Sequence, residues 1–547
     1  MAQGLAALDP ERRLLGYLPP MESGPAFEAV RFLKQFGFEE DPFASTNAAD
    51  EPNLSNYFVE PPYFSTVMGD PRRPQSHVVL APRGGGKTAQ RRMIEEASAG
   101  QNILCVTYDA FDLTDRFKLS DATWDYHAEQ VARLVVVGIL SRLIDDDEAV
   151  ARLSKTEKKQ LGEFVEHFVG SMTEQQFERA TKAIKSLPQK AGELLRRFTG
   201  PLNMVVGAIL TAFTLPAAGV KYEAPGLRGQ RRDSLRSDLE RLVAIAQTVG
   251  FHSVYVLVDR VDEIGLTSTD ASKTLQFIQP LATDLPTLEL SGVAFKFFLW
   301  DLIGEDLRAS GGRPDRVPIY TLAWSSADLV EMMSRRLSAL SSSRVTRLSD
   351  LCCDEVGLDV DLLMASLAGG SPRDLIRMMS RVIAEQTRMS DQATCIGADA
   401  LWDGIRHFAE ERAEELFSRH LPDVRRIGAR GQVTFTINQL ASDVFRVSAQ
   451  AARSKVQKWE QTGLISQIGE LPNPGNRPMH LYGAVDPRLV IAMLRTVSPE
   501  EILGNYLLFC PQCEQLAISD REEIICPHCN YEFTLGDASS LLEVCTR

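Results

Sequence analysis

Three consecutive glycines, Gly84, Gly85 and Gly86, stand directly before Lys87 and Thr88. Glycine lets a backbone curl so that several amides converge on phosphate oxygens. A lysine next to it can reach the β and γ phosphates, and a threonine hydroxyl can ligate Mg²⁺. The usual pattern G-x-x-x-x-G-K-[ST] has glycine where this chain has alanine, so one position departs from it. We expect ATP to bind here rather than the alternative, a plain glycine-rich turn. The expected ATP-binding residues of this loop are Arg83, Gly84, Gly85, Gly86, Lys87, Thr88 and Ala89, and the departing position is Ala81.

Acidic residues follow the apolar run 254–258, which predicts a buried strand. Open α/β sheets bind ligands at the carboxyl ends of their strands, so we expect Asp259 to hold Mg²⁺ directly or through water. Asp262 and Glu263 come one short turn later, where a carboxylate can orient or deprotonate the water that attacks the γ phosphate. We favour Glu263 for this role and keep Asp262 as the alternate. An apolar run that ends in acids is weak evidence for a magnesium site by itself, and the glycine loop earlier in the chain strengthens it.

Four cysteines near the end of the chain form two Cys-x-x-Cys pairs, Cys510 with Cys513 and Cys526 with Cys529. Four thiolates at this spacing predict a zinc ribbon. A closed four-sulfur shell leaves no position for water, so the zinc is expected to be structural. His528 lies inside the second pair and is a weaker alternative ligand. Acidic residues crowd this segment, which favours a protein contact over a nucleic-acid contact.

Composition limits the possible classes of function. The 547 residues carry a formal charge of -14, so nucleic-acid binding over the whole surface is not expected and any such contact needs a local basic patch. Residues 1–13 contain no apolar run, which argues against a secretory signal. The five other cysteines are scattered, which argues against a disulfide framework and indicates a reducing, cytoplasmic setting. These scattered cysteines are Cys105, Cys352, Cys353, Cys395 and Cys545.

The elements around the glycine loop predict an α/β core, a parallel sheet with helices on both faces. A strand precedes the loop, a helix is expected over 88–99 and a second strand over 102–108. Residues 110–249 have mostly helical periodicity and are too long for a simple crossover. Within them, residues 200–220 carry no charge and reach the length of a membrane span. A single crossing would separate the two motifs that must meet at one nucleotide, so we expect a buried helix or a partner-facing surface, with a re-entrant membrane segment as the alternative.

The C-terminal third has the order of a winged helix-turn-helix. Two helices are expected over 436–445 and 449–462, followed by a hairpin formed by 463–468 and 479–484. Between residues 421 and 490 there are nine Lys or Arg and five Asp or Glu, a local charge of +4. This contrast favours DNA binding, whereas packing on a lid as an interdomain switch is the alternative. The basic residues suited to phosphate and base contacts are Arg446, Arg453, Lys455, Lys458 and Arg477.

The spacing D-x-x-D-E at residues 259–263 resembles the Walker B motif of STAND and NACHT-type ATPases, within the AAA+ and origin-recognition relatives. The resemblance implies a polar sensor at Asp301, after a strand over 294–300. It also implies a second sensor at Arg373, at the start of a lid helix, where arginine acts as a fork donor to the γ phosphate. The alternative for Arg373 is a surface arginine. Residues 32–43 resemble the adenine-side segment of AAA+ proteins, with plain N-terminal packing as the alternative.

An arginine finger donated to a neighbouring subunit is a further implication of the resemblance, and Arg316 is weakly favoured for it. The five arginines considered are Arg308, Arg313, Arg316, Arg335 and Arg336. Taken together, these signals predict an N-terminal segment over 1–75, a P-loop ATPase core over 76–325 with its helical insertion at about 110–249, and a helical lid over 326–395. A winged helix over 396–498 and a zinc ribbon over 499–547 complete the predicted organisation.

The predicted function is an ATPase that uses Glu263, Asp262, Lys87 and Arg373 and couples its nucleotide state to DNA or to a protein partner. The family resemblance implies that its hydrolysis is slow and regulatory. The cofactors are expected to be ATP, Mg²⁺ and Zn²⁺. A homo-oligomer or an effector protein is the expected partner, DNA is plausible, and a membrane is not expected. The resemblance makes defence against mobile DNA plausible. The alternatives are an ATP-locked oligomeric scaffold that recruits an effector without DNA, and a transcription regulator.

Overall fold

The computed structural model describes residues 31–113, 115–184, 202–216, 228–268, 270–390, 392–473 and 477–546. This chain divides into two compact units. One unit comprises Asn47–Ser325 together with Gly370–Arg373. The other comprises the described residues up to Thr46, then Ser326–Gly369, and the chain from Asp374 onward.

A five-stranded parallel sheet forms the centre of the first unit. Its strands are β1 (His77–Ala81), β2 (Ile103–Tyr108), β3 (Ser253–Val258), β4 (Val293–Trp300) and β5 (Ile319–Thr321), in the spatial order β2-β3-β4-β1-β5. Every residue of β1, β2 and β3 is buried. Parallel sheets are covered on both faces, which is why these strands read as continuous apolar runs. The predicted α/β core is confirmed.

The first unit also contains helices, some of which cover the two faces of this sheet. In chain order they are α1 (Leu54–Tyr57), α2 (Phe64–Met68), α3 (Lys87–Gly100), α4 (Trp124–Asp145), α5 (Asp147–Arg152), α6 (Lys155–Phe164), α7 (Glu174–Lys182), α8 (Leu202–Ala212), α9 (Arg228–Thr248), α10 (Ala271–Ala282), α11 (Leu285–Leu288) and α12 (Gly304–Ala309). One face packs against α2 and α3, and the other packs against α4, α9, α10 and α12. The chain therefore leaves β1 on one face and β4 on the other, although the two strands are neighbours. Such a switch point is where open α/β sheets bind ligands.

The uncharged stretch 200–220 contributes α8 to the larger core. Ile209, Leu210 and Phe213 are buried among the apolar residues of the insertion, and Pro216 O lies close to the backbone of Gly162 in α6. Residues 200, 201 and 217–220 lie outside the described residues. Among the helices that the structure describes, none combines the length and the apolarity that a membrane crossing requires.

A lysine, Lys296, lies fully buried in β4 opposite His77 of β1. Its Nζ donates to the carbonyl of Gln75 at 2.7 Å, lies 3.1 Å from His77 Nδ1 and 4.8 Å from the centre of the Tyr255 ring. Because burial withdraws water from the ammonium, the pKa of Lys296 falls to about 7. Burial, and next the Lys296 charge, lower the pKa of His77 to about 4.

We expect Lys296→Met to raise the melting temperature at about pH 6 to 7 and to lose much of this advantage by about pH 10. Lysine has a pKa of 10.5 when exposed, so between pH 7 and 10.5 the unfolded chain binds more protons and the wild type gains stability as the pH rises. Below pH 7 Lys296 is protonated in both the folded and the unfolded state, so the full free-energy cost of burying its charge remains. Thermal unfolding across this range measures the effect, with the exposed Lys155→Met as the control. An advantage independent of pH would contradict the assignment.

Helices make up the first part of the second unit. They are α13 (Ser326–Leu340), α14 (Val360–Leu367), α15 (Pro372–Met389), α16 (Ala398–Phe417) and α17 (Leu421–Gly428), and the first turn of α15 is shared with the other unit. Although the scattered cysteines argued against a disulfide framework, Cys353 and Cys395 are joined in a disulfide. The pairing follows from the backbone, because Cys353 N donates to Ile396 O at 2.9 Å and Cys352 bridges Ile396. Their sequence separation of 42 residues gives no local signal for it.

Residues 434–484 have the predicted order of elements, and we refer to this segment as the winged helix. Strand β6 (Thr434–Thr436) leads into α18 (Ile437–Gln439) and a π-helical turn (Leu440–Phe445), then α19 (Ala449–Gln461), β7 (Ile465–Leu471) and β8 (Met479–Ala484). The sheet has the order β6-β8-β7, with antiparallel pairing. Trp459 of α19 is buried between Phe435 and Phe445, at ring distances of 6.2 and 6.1 Å. This aromatic contact fixes α19 on the small sheet.

The chain ends in a small, strand-rich segment. Its elements are α20 (Pro487–Met493), α21 (Pro499–Asn505), β9 (Leu507–Phe509), β10 (Leu516–Ile518), β11 (Glu523–Ile525), β12 (Glu532–Thr534), β13 (Ser539–Ser540) and α22 (Leu541–Cys545). Asp520 accepts hydrogen bonds from Val433 N at 3.1 Å and from the Thr434 hydroxyl. Cys545 O accepts from Asp359 N at 2.7 Å, next to α14. The terminal segment thus binds the winged helix and the helical part of the same unit.

Candidate functional site

The glycine loop connects the buried strand β1 to helix α3, as the sequence predicts. Gly84 and Gly86 have φ of 78° and 97°, in the left-handed region that favours glycine. A Cβ at Gly84 would also lie 3.0 Å from Arg373 Cβ and 3.2 Å from Ser371 Oγ. Gly86 is the N-cap of α3 and offers no side-chain cap. The first-turn amides of α3, which include those of Thr88 and Ala89, are therefore suited to an anion.

Lys87, the first residue of α3, lies at the centre of the site and is 9% exposed. Its Nζ donates to the loop carbonyls of Ala81 at 3.0 Å and Pro82 at 3.2 Å. Burial lowers the pKa of Lys87, and four carboxylates oppose this effect. In order of effect, these carboxylates belong to Asp262, Asp259, Asp301 and Glu263. The acids that follow β3 and β4 thus act on the charge of the Lys87 ammonium.

The end of β3 meets the loop through Asp259, which is 1% exposed. Thr88 Oγ1 donates to Asp259 Oδ2 at 3.0 Å, and Arg260 N donates to Oδ1 at 2.9 Å. Since the Thr88 proton points to Asp259, both lone pairs of Thr88 Oγ1 remain available to a cation. This donor set fits Mg²⁺, which prefers oxygen ligands and keeps several waters. Thr88 is suited to direct ligation and Asp259 to holding a bound water.

The two candidate water-orienting acids differ in their surroundings. Asp262 is 2% exposed, and Arg83 donates to it twice, from Nε to Oδ2 at 3.1 Å and from Nη2 to the backbone carbonyl at 2.6 Å. Arg83 also lies 4.4 Å from the centre of the Trp300 ring. Glu263 is exposed and lies 3.7 Å from Arg260 Nε. Asp262 is thus engaged by the loop, whereas the exposed Glu263 contacts Arg260 within its own turn.

The predicted sensors also lie near the loop. Asp301 follows β4 directly, and burial raises its pKa while the charge of Lys87 lowers it. Arg373 belongs to the short segment that packs on Gly84. A contact that sequence reasoning missed comes from Trp324, whose Nε1 donates to Gly85 O at 2.8 Å. The only signal was its position three residues after the end of β5 at residue 321.

Four of the five arginines considered for a finger form ion pairs or hydrogen bonds, and Arg308 is exposed on α12. Arg316 Nη2 binds Glu289 at 2.7 Å, Arg313 pairs with Asp315 at 2.7 Å, and Arg335 pairs with Glu331. Arg336 is buried and donates to the carbonyl of Pro42 at 2.6 Å in its own unit. Residues 32–43 supply this carbonyl, and Phe38 and Phe43 are buried there. Within its own unit, the segment likened to an adenine-side segment packs on the arginine of α13.

The four cysteines of the two Cys-x-x-Cys pairs converge on one point. Their sulfurs lie within 4.8 Å of one another. The two knuckles have the same backbone, since Glu514 and Asn530 each follow the second cysteine with φ of 56° and 59°. Each also donates its N–H to the first cysteine's carbonyl at 2.9 Å. The four sulfurs fit tetrahedral zinc, and the ring of His528 is not part of the group.

The basic residues of the winged helix fall into two groups. Arg453 and Lys458 are exposed on α19, and Arg446 and Arg477 are exposed before and after it. Lys455, by contrast, donates to Asp423 at 2.5 Å. The exposed members form an array of cationic side chains on and beside one helix, a pattern suited to phosphate contacts.

No family model and no curated protein matches the sequence. Several solved structures are similar. The Aeropyrum pernix ORC1 protein in complex with DNA is 11% identical, with a TM-score of 0.34 over 83% of this chain and 96% of that one. The Aeropyrum pernix ORC2 protein in its ADPNP-ADP complexes is 11% identical, with a TM-score of 0.34 over 77% of this chain and 88% of that one. Cdc6p from Pyrobaculum aerophilum is 10% identical, with a TM-score of 0.30 over 83% of this chain and 97% of that one.

Proposed function

We propose that this chain is a cytoplasmic ATP-dependent switch of the AAA+ class, in which the nucleotide state governs contact with DNA or a protein partner. The observation that carries the proposal is the hydrogen bond of 3.0 Å between Thr88 and Asp259, beside the uncapped start of α3. It joins the phosphate-binding loop to the acidic strand end at a topological switch point of the sheet. Neither a glycine-rich turn nor a solvated strand end requires this contact.

In the proposed reaction, loop amides and Lys87 hold the β and γ phosphates, and Thr88 with Asp259 holds Mg²⁺. The metal would neutralise phosphate charge as the β–γ bond breaks. Glu263 orients the attacking water, because it is exposed at the edge of the site and can turn inward. Asp262 is the alternate and would first have to leave Arg83, its partner at 3.1 Å. Arg373 and Asp301 would report the γ phosphate to the rest of the chain.

The proposed DNA contact uses the exposed basic residues of α19. Arg453 and Lys458 lie on the exposed face of this helix and form no ion pair among the described residues. Their charge is local in a chain whose net charge is -14. Binding to phosphates through such a patch should weaken steeply with salt. A role in defence against mobile DNA is part of the proposal and comes from the family resemblance of the motifs.

Phosphate release with and without duplex DNA tests the proposed function. We expect slow release from ATP and Mg²⁺ that DNA stimulates by several-fold. The double variant Arg453→Ala, Lys458→Ala should lose the stimulation and keep the basal rate, because neither residue belongs to the nucleotide site. The control is the pair Lys155→Ala and Lys159→Ala, exposed lysines of α6.

The outcomes of this assay separate the alternatives. ATP binding without phosphate release under any condition would overturn the ATPase and favour an ATP-locked scaffold that recruits an effector. Binding of one DNA sequence with a base-selective component beyond the salt-dependent one would favour a transcription regulator. Equal stimulation of the wild type and the double variant would show that the DNA contact does not use these residues of α19.

A further inference from the structure

Arg91, one helical turn after Lys87 in α3, is fully buried. Its Nε donates to Asp259 Oδ2 at 2.9 Å, the same oxygen that accepts from Thr88. Its Nη1 donates to Glu95, the residue one turn further along α3. The Thr107 hydroxyl donates to the same Glu95 oxygen. A fully buried guanidinium is thus held between two buried carboxylates, one of which belongs to the candidate magnesium site.

The two carboxylates that bind the Arg91 guanidinium fix its position, because burying an unpaired guanidinium costs a large free energy. Its Nη2 has no hydrogen-bond partner among the described residues and lies 4.0 Å from Asp109 Oδ2, within ion-pair distance. Arg91 therefore places a fixed positive charge on the carboxylate that the proposed function assigns to Mg²⁺.

We propose that Arg91 is a positioning residue that holds Asp259 in place and sets the concentration of Mg²⁺ at which the nucleotide site fills. The inference rests on the proposed function. A cation at Thr88 meets the repulsion of a fixed guanidinium behind Asp259, at short range and away from solvent. Mg²⁺ then binds less tightly than an unpaired aspartate would allow.

Glu95 affects Mg²⁺ binding in the opposite direction to Arg91. When Glu95 is charged, it shares the Arg91 guanidinium, so less of the negative charge of Asp259 is compensated. Without that charge, Arg91 is shared less, and its ion pair with Asp259 strengthens. Two substitutions in one network are therefore expected to shift Mg²⁺ binding in opposite senses, which a general loss of structure does not do.

The experiment measures binding of a fluorescent ATP analogue to the full-length chain, in EDTA and at rising MgCl₂. We expect Arg91→Gln to lower the half-saturating Mg²⁺ concentration by roughly tenfold and Glu95→Gln to raise it by a few-fold. Affinity in EDTA should stay within about twofold of the wild type. Arg91→Lys retains the charge and should leave the Mg²⁺ midpoint near that of the wild type.

Arg92→Gln is the matched control, because Arg92 is the next guanidinium in α3 and donates instead to the carbonyls of Ala48 and Glu51, each at 2.6 Å. It should leave the Mg²⁺ midpoint unchanged. Should Arg91→Gln not fold, Glu95→Gln alone decides, and a midpoint that does not rise overturns the inference. Equal midpoints for Arg91→Gln and the wild type overturn it as well. A wild type that binds no nucleotide in either buffer would instead overturn the proposed function.

Discussion

Replacement of Lys87 by alanine should weaken the binding of ATP on the order of a hundredfold. The Lys87 ammonium is 9% exposed and lies among four carboxylates, so its removal leaves uncompensated negative charge where phosphates are proposed to sit. The loop also loses two hydrogen bonds, those from Nζ to the carbonyls of Ala81 and Pro82. Calorimetric titration with ATP and Mg²⁺ measures the change.

The matched control for this substitution is Lys155→Ala, which removes one exposed lysine from the same unit. It should bind ATP like the wild type. Circular dichroism of both variants checks that the fold is retained. An unchanged ATP affinity in the folded Lys87→Ala variant would show that ATP does not bind at this loop, and it would contradict the proposed function.

The second large effect concerns zinc. Removal of the metal, by a chelator or by Cys513→Ser, should unfold the terminal ribbon and lower the melting temperature of the second unit by about 10 °C or more, because structural zinc contributes folding free energy directly. The ribbon binds β6 through Asp520, which accepts from the Thr434 hydroxyl, and the start of α14 through Cys545 O. Its loss should therefore expose the winged helix and the helical part together.

Zinc content by atomic absorption and thermal unfolding with and without chelator measure this effect. Glu532→Gln, an exposed ribbon residue, is the control and should keep the metal and the melting temperature. A protein that contains zinc and melts at the same temperature after its complete removal would contradict a structural role. A protein purified without any zinc would contradict the ligand assignment itself.

The sheet could be predicted because its information is local. Residues 77–81 and 254–258 are apolar runs that end in a glycine loop and in acids, and both features depend on short stretches of sequence. The same holds for the ribbon, whose four cysteines and two knuckles are close in the chain. The contact between Thr88 and Asp259 spans 171 residues, yet it followed from two local motifs and the rule that parallel strands end at one edge.

The features that sequence reasoning missed depend on which distant side chains the fold brings together. Arg91 reads as an ordinary polar helix residue until Asp259 is placed beside it, 168 residues away. Trp324 contacts Gly85 across 239 residues, and Cys353 meets Cys395 only because a backbone bridge aligns them. In each case the deciding quantity is a long-range packing contact, and no periodicity or spacing encodes it.

The most direct measurement is a density map of the full-length chain with a non-hydrolysable ATP analogue and Mg²⁺. The account predicts triphosphate density against the amides of residues 84–88, with a metal beside Thr88 Oγ1 and the Asp259 carboxylate behind it. Nucleotide bound elsewhere in the chain, or a metal ligated without Thr88, would contradict the account.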